Sequence, residues 1–287
     1  MLNGIRHKNV DSGNKVVESS SENQTAEENS SEEQTTEEQT TEEGTTPVET
    51  ESATEEKNIL TLEDIMKYSD EMVPYGIAND VDAKNCPNGC QWYINHFSDF
   101  DVDFIKEDDN KIYLTYMVKK ENGNTTQILD ILKSNDVSAV FFITYDYVTT
   151  NPEIVKRMID EGHIVGQSSY LSGTIEENLE KETMAHEYVL DKFGYDMYLF
   201  KILNDSFSEQ QLAMIESLGY RTVFWSFSYN DWENNQPDVA TSLNRLLEKA
   251  HSGEILMLRT SSSTSLALLQ DLLDGLKEKG FEMGRYE

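Results

Sequence analysis

Along the C-terminal two thirds of the chain, short apolar runs rich in β-branched and aromatic residues alternate with stretches whose apolar positions recur every three to four residues. The runs are Lys111 to Val118, Ser138 to Thr144, His163 to Ser168, Asp196 to Leu203, Arg221 to Tyr229, Glu254 to Arg259 and Phe281 to Tyr286. Each has the length and composition of a strand. Between them, sets such as Ile154, Val155, Met158 and Ile159, or Leu266, Leu269, Leu272, Leu273 and Leu276, predict amphipathic helices. Thr174 with Glu177 and Ser208 with Gln211 have capping-box spacing, and Gly162, Gly219 and Gly280 follow three helix ends. Strands separated by single helices imply parallel pairing through right-handed crossovers. The fold class is therefore α/β, a barrel or an open doubly wound sheet. In both, reactive groups gather at the C-terminal ends of the strands.

Composition divides the chain before any motif does. Glu18 to Glu56 holds fourteen Glu, no Lys or Arg, no aromatic residue and repeated Gln-Thr-Thr-Glu-Glu units. So little apolar surface cannot offset chain entropy, so residues 1–57 are expected to be a disordered acidic Ser/Thr/Glu-rich spacer, with a binding tail as the alternative. Residues 58–108 read as an extension packing on a domain that spans 109–287. Beyond residue 57 the chain still carries 39 acidic residues against 19 Lys and Arg. That balance excludes nucleic acid as a partner, since a polyanion is held by many cationic contacts. No apolar run approaches the roughly 18 residues of a membrane span, and Met1 to Lys15 lacks the apolar core of a signal peptide. A long spacer ahead of a globular part is nevertheless the layout of a tethered protein, so an extracytoplasmic place, in the cell envelope or the spore, is expected.

Cys86 and Cys90 occur in Asn-Cys-Pro-Asn-Gly-Cys. Two ligands cannot close a zinc site, and no second pair exists. A disulfide closing the Pro-Asn-Gly turn is the expectation, with two free thiols as the alternative.

Lys111-Ile-Tyr-Leu-Thr-Tyr, Val140-Phe-Phe-Ile-Thr, Asn151-Pro-Glu-Ile-Val-Lys-Arg-Met-Ile-Asp-Glu-Gly-His and Thr222-Val-Phe-Trp-Ser-Phe-Ser-Tyr-Asn-Asp-Trp carry a family pattern. From about Lys111 to Phe281 the chain resembles the polysaccharide deacetylases of the NodB-homology type, carbohydrate esterase family 4, nearest to the peptidoglycan N-acetylmuramic acid deacetylases. The resemblance implies a distorted (β/α) barrel of about seven parallel strands. It also implies zinc or another divalent metal, whose bound water hydrolyses an N-acetyl group with an aspartate base and a histidine acid.

Mapped onto those motifs, the chain departs at nearly every reactive position. Where the family has Thr-Phe-Asp-Asp-Gly, or Asp-Asn-Gly in the muramic branch, this chain has Thr115, Tyr116, Met117, Val118 and Lys119. Met117 stands at the base and Val118 at the second acidic position. Ser168 and Ser172 occupy the two histidine ligand positions, and neutral hydroxyls bind such metals poorly. Lys201 replaces the arginine that orients the base. Arg259 replaces the acidic histidine, and a group with a pKa above 12 is no general acid near neutral pH. Asp231 and Trp232 alone keep their motif.

No cofactor and no catalytic residue are expected on this reading. Asp231, Trp232, Arg259 and Lys201 are the candidate ligand-binding residues, joined by Lys119 and Lys120 if several cations converge where a metal would have been. Such a cluster suits a carboxylate, a phosphate or the lactyl group of a glycan. The plainer alternative makes the two lysines solvated loop charges and Arg259 the partner of Asp231. His163 reads as scaffold, His186 as solvent-facing on a charged helix, and His7, His96 and His251 show no spacing that builds a site. The resulting reading is a degenerate deacetylase that binds a cell-wall glycan or a protein partner. Its rivals are an active deacetylase with a site rebuilt from Asp231, Asp205 and Asp146, and a non-catalytic subunit of an active one. If residues 1–57 are a spacer, a chain beginning at Asn58 keeps the thermal midpoint of the full chain. A drop of several degrees in its melting curve refutes that.

Overall fold

Every crossover expected from the strand and helix alternation is present, and each returns the chain to a parallel neighbour. The computed structural model describes residues 60–77, 80–106, 110–232, 234 and 236–287. The reading of residues 1–57, and His7 with it, lies outside the described residues.

In chain order the strands are β1 (Val73–Pro74), β2 (Val102–Asp103), β3 (Lys111–Val118), β4 (Val140–Ile143), β5 (Ile164–Ser169) and β6 (Leu199–Ile202). They continue as β7 (Ser206–Phe207), β8 (Arg221–Val223), β9 (Phe227–Ser228), β10 (Glu254–Arg259) and β11 (Glu282–Met283). The helices begin with α1 (Leu62–Ile65), α2 (Asn88–His96), α3 (Asn124–Ser134), α4 (Tyr145–Thr150) and α5 (Pro152–Asp160). The rest are α6 (Ile175–Phe193), α7 (Glu209–Ser217), α8 (Val239–Lys249) and α9 (Ser263–Glu278).

One curled sheet runs β2-β8-β6-β5-β4-β3-β10-β9, with β11 pairing β3 as well. Its pairings are all parallel. Among the described residues no pairing joins β2 to β9, so the sheet is a distorted, incompletely closed (β/α) barrel. It differs from the expectation in detail. The run from Arg221 to Tyr229 breaks into β8 and β9, each pairing a different neighbour. The extension contributes β2 at the sheet edge and β1, which pairs antiparallel with β7 through Val73 and Phe207.

The pleat sorts side chains onto two faces. On β3, Ile112, Leu114, Tyr116 and Val118 join the large outer core under the helices. Tyr113 joins Val140, Phe142, Ile164, Leu199, Val223, Ile255 and Tyr286 in a separate cluster inside the curl. Gly166 on β5 is needed there: a Cβ would lie 2.7 Å from the Phe142 ring, so only glycine lets that ring cross the barrel. Both capping boxes form as spaced, with Thr174 and Ser208 accepting from the backbone of Glu177 and Gln211. The extension is held by rings: Tyr75 packs 4.4 Å from Phe224, and its hydroxyl donates to the Trp225 carbonyl.

The disulfide is not formed; Cys86 and Cys90 are free thiols. Cys90 sits in the first turn of α2, buried, with its Sγ directed at the Phe104 carbonyl 3.9 Å away. Hydrogen bonds to Asp82 close the loop instead: its backbone N–H donates to the Cys86 carbonyl at 2.9 Å, and its carboxylate accepts from Cys86 N at 3.0 Å. Burial pushes the Cys90 thiol up to about 12, and it raises that of Cys86 as well. Material purified without reductant should titrate two thiols when denatured, with Cys90 inert to alkylation until the fold opens. Denatured protein with no titratable thiol would contradict this arrangement.

Candidate functional site

Two residues beyond the inner apolar cluster, the same face of the strands turns polar. Ser168 follows Ile164 and Gly166 on β5, Lys201 follows Leu199 on β6, Met117 follows Tyr113 and Thr115 on β3, and Met257 and Arg259 follow Ile255 on β10. With a side-chain period of two, all five project to the inside at the C-terminal ends of the strands. Register makes Met117 the neighbour of Arg259 and Ser168 the neighbour of Lys201. Above them opens a cavity of about 520 Å³ whose walls include Met117, Lys201, Trp232, Met257 and Arg259.

Arg259 and Asp231 are partners. The Asp231 carboxylate accepts from the Arg259 backbone N–H at 2.7 Å, from its Nη1, and from Ser265 Oγ at 3.0 Å. Asp231 is 1% exposed, and burial raises its pKa although the guanidinium pulls it down. Its carboxylate is committed to this pair and does not line the cavity, which corrects its expected place among ligand-binding groups. Trp232 is different: it is 56% exposed, with the guanidinium 4.9 Å from its ring centroid.

Lys201 is buried, 5.9 Å from the centroid of Phe142, and makes no hydrogen bond or ion pair among the described residues. Desolvation, and then the positive field of Arg259, push its amine down to about 7.

The other positions singled out in the sequence do not converge here. Val118 points the opposite way, into the outer core, because adjacent strand residues face opposite sides. Ser172 is exposed in the loop after β5. Lys119 is bound outside the cavity, donating to the Tyr170 hydroxyl at 2.6 Å, and Lys120 is exposed. Asp146 is exposed on α4, so the carboxylates proposed for a rebuilt centre stay apart; only Asp205 lines the cavity. Among the described residues no group of three or more His, Cys, Asp or Glu could hold a metal ion. The donor set therefore does not fit the divalent metal that the family resemblance implies.

Sequence reasoning missed two features. Arg245 and Lys249 line the cavity from α8, so its further cations come from a helix and not from the loop after β3. Their four-residue spacing puts them on one helix face and was the available signal. The second is a buried cluster. Ser226 Oγ lies 2.9 Å from His251 Nε2, His251 Nδ1–H donates to the Lys249 carbonyl at 3.0 Å, and the His251 backbone N–H donates to Glu254 at 3.1 Å. Burial favours the neutral form of each, lowering His251 and raising Glu254 to about 8. With Ser226 fully buried, the cluster fixes the turn between α8 and β10. His186 is likewise no free surface group: it lies 2.6 Å from the Tyr220 hydroxyl and 3.2 Å from Asp196. His163 accepts from Ala139 N at 3.2 Å, the part of a scaffold residue.

Comparison with known proteins agrees with this arrangement of strands. The polysaccharide deacetylase family model matches residues 105–244. The chain is 34% identical over 187 residues to peptidoglycan-N-acetylmuramic acid deacetylase PdaA of Bacillus subtilis, covering 60% of this chain and 68% of that protein. Against the solved structure of that family 4 carbohydrate esterase the TM-score is 0.69 at 30% identity, covering 74% of this chain and 94% of the other. A family 4 carbohydrate esterase from Bacillus anthracis gives 0.61 at 29% identity, covering 76% and 95%.

Because Asp231 has no access to water, removing its partner leaves a buried, unpaired carboxylate, a loss of about 3–5 kcal/mol. Arg259→Ala should therefore lower the unfolding free energy by that order, and adding Asp231→Asn should recover a large part of it. A single variant as stable as the parent in urea refutes the structural role of the pair.

Proposed function

Because this chain belongs to the polysaccharide deacetylase family, we propose that it keeps the family's barrel as a binding cleft for cell-wall glycan and does not hydrolyse it. One observation carries the reading. The strand tips converge as in a hydrolase, yet they deliver Met117, Ser168, Lys201 and Arg259, with no set of carboxylates and imidazoles to hold a metal or move a proton. With the motifs mapped as above, Met117 holds the position of the base, Ser168 that of a ligand and Arg259 that of the acid.

The cleft suits an acidic saccharide. In a chain of net charge −31, its walls gather Lys201, Arg245, Lys249 and Arg259 against Asp205. Because Arg259 is paired with Asp231 and Lys201 is buried, Arg245 and Lys249 are the lining cations open to a carboxylate. Trp232 offers a half-exposed ring on which a sugar face can stack. The curated relative is named for peptidoglycan N-acetylmuramic acid, whose lactyl group supplies such a carboxylate, and a cell-wall ligand is consistent with the extracytoplasmic place, envelope or spore, that we propose.

Calorimetric titration with muramic-acid oligosaccharides, run beside melting curves, checks this. Trp232→Ala should weaken binding by about 0.5–1.5 kcal/mol, the scale of a lost ring contact, with an unchanged midpoint. Arg245→Ala should weaken acidic oligosaccharides more than neutral ones. A parent without affinity for either kind would leave a protein partner as the occupant of the cleft.

A further inference from the structure

On the inner face of the strand tips, two polar groups have no hydrogen-bond partner among the described residues, and one of them, Lys201, lines the cleft. Ser168 is 2% exposed, and its Oγ has no hydrogen-bond partner among the described residues. Lys201 is 4% exposed, lines the cavity and makes no hydrogen bond or ion pair among the described residues. They are register partners on adjacent parallel strands and project to the same side. Both can donate, and a donor shut away from water without an acceptor, as the Ser168 hydroxyl is, is costly. The nearby acids do not relieve this: Asp231 is saturated by Arg259 and Ser265, and Asp205 is exposed. The floor has donors and positive field, and lacks an acceptor that carries negative charge.

We propose that Lys201 is a carboxylation site, whose neutral amine takes up carbon dioxide to form a lysine carbamate. The nitrogen lone pair attacks the carbon of carbon dioxide and an N–C bond forms. One carbon–oxygen π pair moves onto oxygen, and one N–H proton leaves to solvent, so that an amine and carbon dioxide give a carbamate anion and a proton. No oxidant or further reactant is needed. The product carries a carboxylate, the acceptor that the hydroxyl of its register partner Ser168 lacks among the described residues, and the Arg259 guanidinium whose field disfavours an ammonium at residue 201 favours an anion there. Desolvation supplies the other requirement, an unprotonated amine, because it holds Lys201 at about 7. Phe142, Met117 and Met257 make the surroundings apolar, and the cavity leaves room for the added group. The site stands or falls apart from glycan binding, which is assigned to the mouth.

Carbon-13 NMR of the full chain in carbon-13 bicarbonate tests it. The folded parent should show a carbamate carbon that is lost on unfolding and absent from folded Lys201→Met. Lys120→Ala, on the exposed loop, should keep it. Ser168→Ala should lower occupancy severalfold at limiting bicarbonate. Trapping the carbamate by O-alkylation, followed by peptide mass mapping, should place it at residue 201, and decides the matter even if Lys201→Met does not fold. No carbamate signal from the folded parent at saturating bicarbonate, a signal that persists in folded Lys201→Met, or a trapped group only at other residues overturns the proposal.

Discussion

The buried pair of Arg259 and Asp231 organises the mouth of this barrel. Through it the tip of β10, the loop after β9 and the first turn of α9 share one set of hydrogen bonds, because Asp231 accepts from the Arg259 backbone, from its guanidinium and from Ser265. The same guanidinium lies over Trp232 and so sets where the exposed ring stands. A charge pair this deep is kept only if its polar atoms are satisfied, and here both sides of the Asp231 carboxylate are. One consequence reaches across the cleft. Arg259 has an acid partner, whereas Lys201 has none among the described residues, and desolvation with the guanidinium's field holds that buried amine low.

The barrel was legible because long strands carry period and composition. β3, β5 and β10 lie within a residue of their predicted bounds, and both capping boxes formed as spaced. Two-residue strands carry no such signal, so β1, β2, β7 and the break between β8 and β9 could not be read. Single-residue parity was the harder matter. Met117 and Val118 were both assigned to the reactive tip, yet neighbours on a strand face opposite ways and only Met117 reaches the cavity. Distance along the chain hid the rest: His251 meets Ser226, Arg245 lies over the Phe227 ring, and nothing local announces either contact. The cysteine turn misled for a related reason. Its spacing permits a disulfide, but side-chain direction within α2 takes Cys90 inward and Asp82 closes the loop.

On the proposed reading, what separates this cleft from a hydrolytic one is the kind of group at the strand tips. Hydrolysis of an amide asks for a positioned base, an acid and an electrophile that stabilises developing charge. The tips supply a thioether, a hydroxyl, an amine and a paired guanidinium, while Asp231 is already bonded and Asp146 and Asp205 are exposed. The barrel around them is intact, with its glycine at the Phe142 crossing and its caps in place. Such a scaffold still presents a concave surface with cations and an aromatic ring in a strongly acidic protein, which suits the proposed recognition without turnover.

The most direct check of that account is acetate release from N-acetylated peptidoglycan oligosaccharides, measured on protein whose zinc content has been determined and again after zinc is supplied in excess. The account predicts zinc well below one ion per chain as purified and acetate at the level of the buffer control in both conditions. One zinc per chain with sustained acetate release would contradict it.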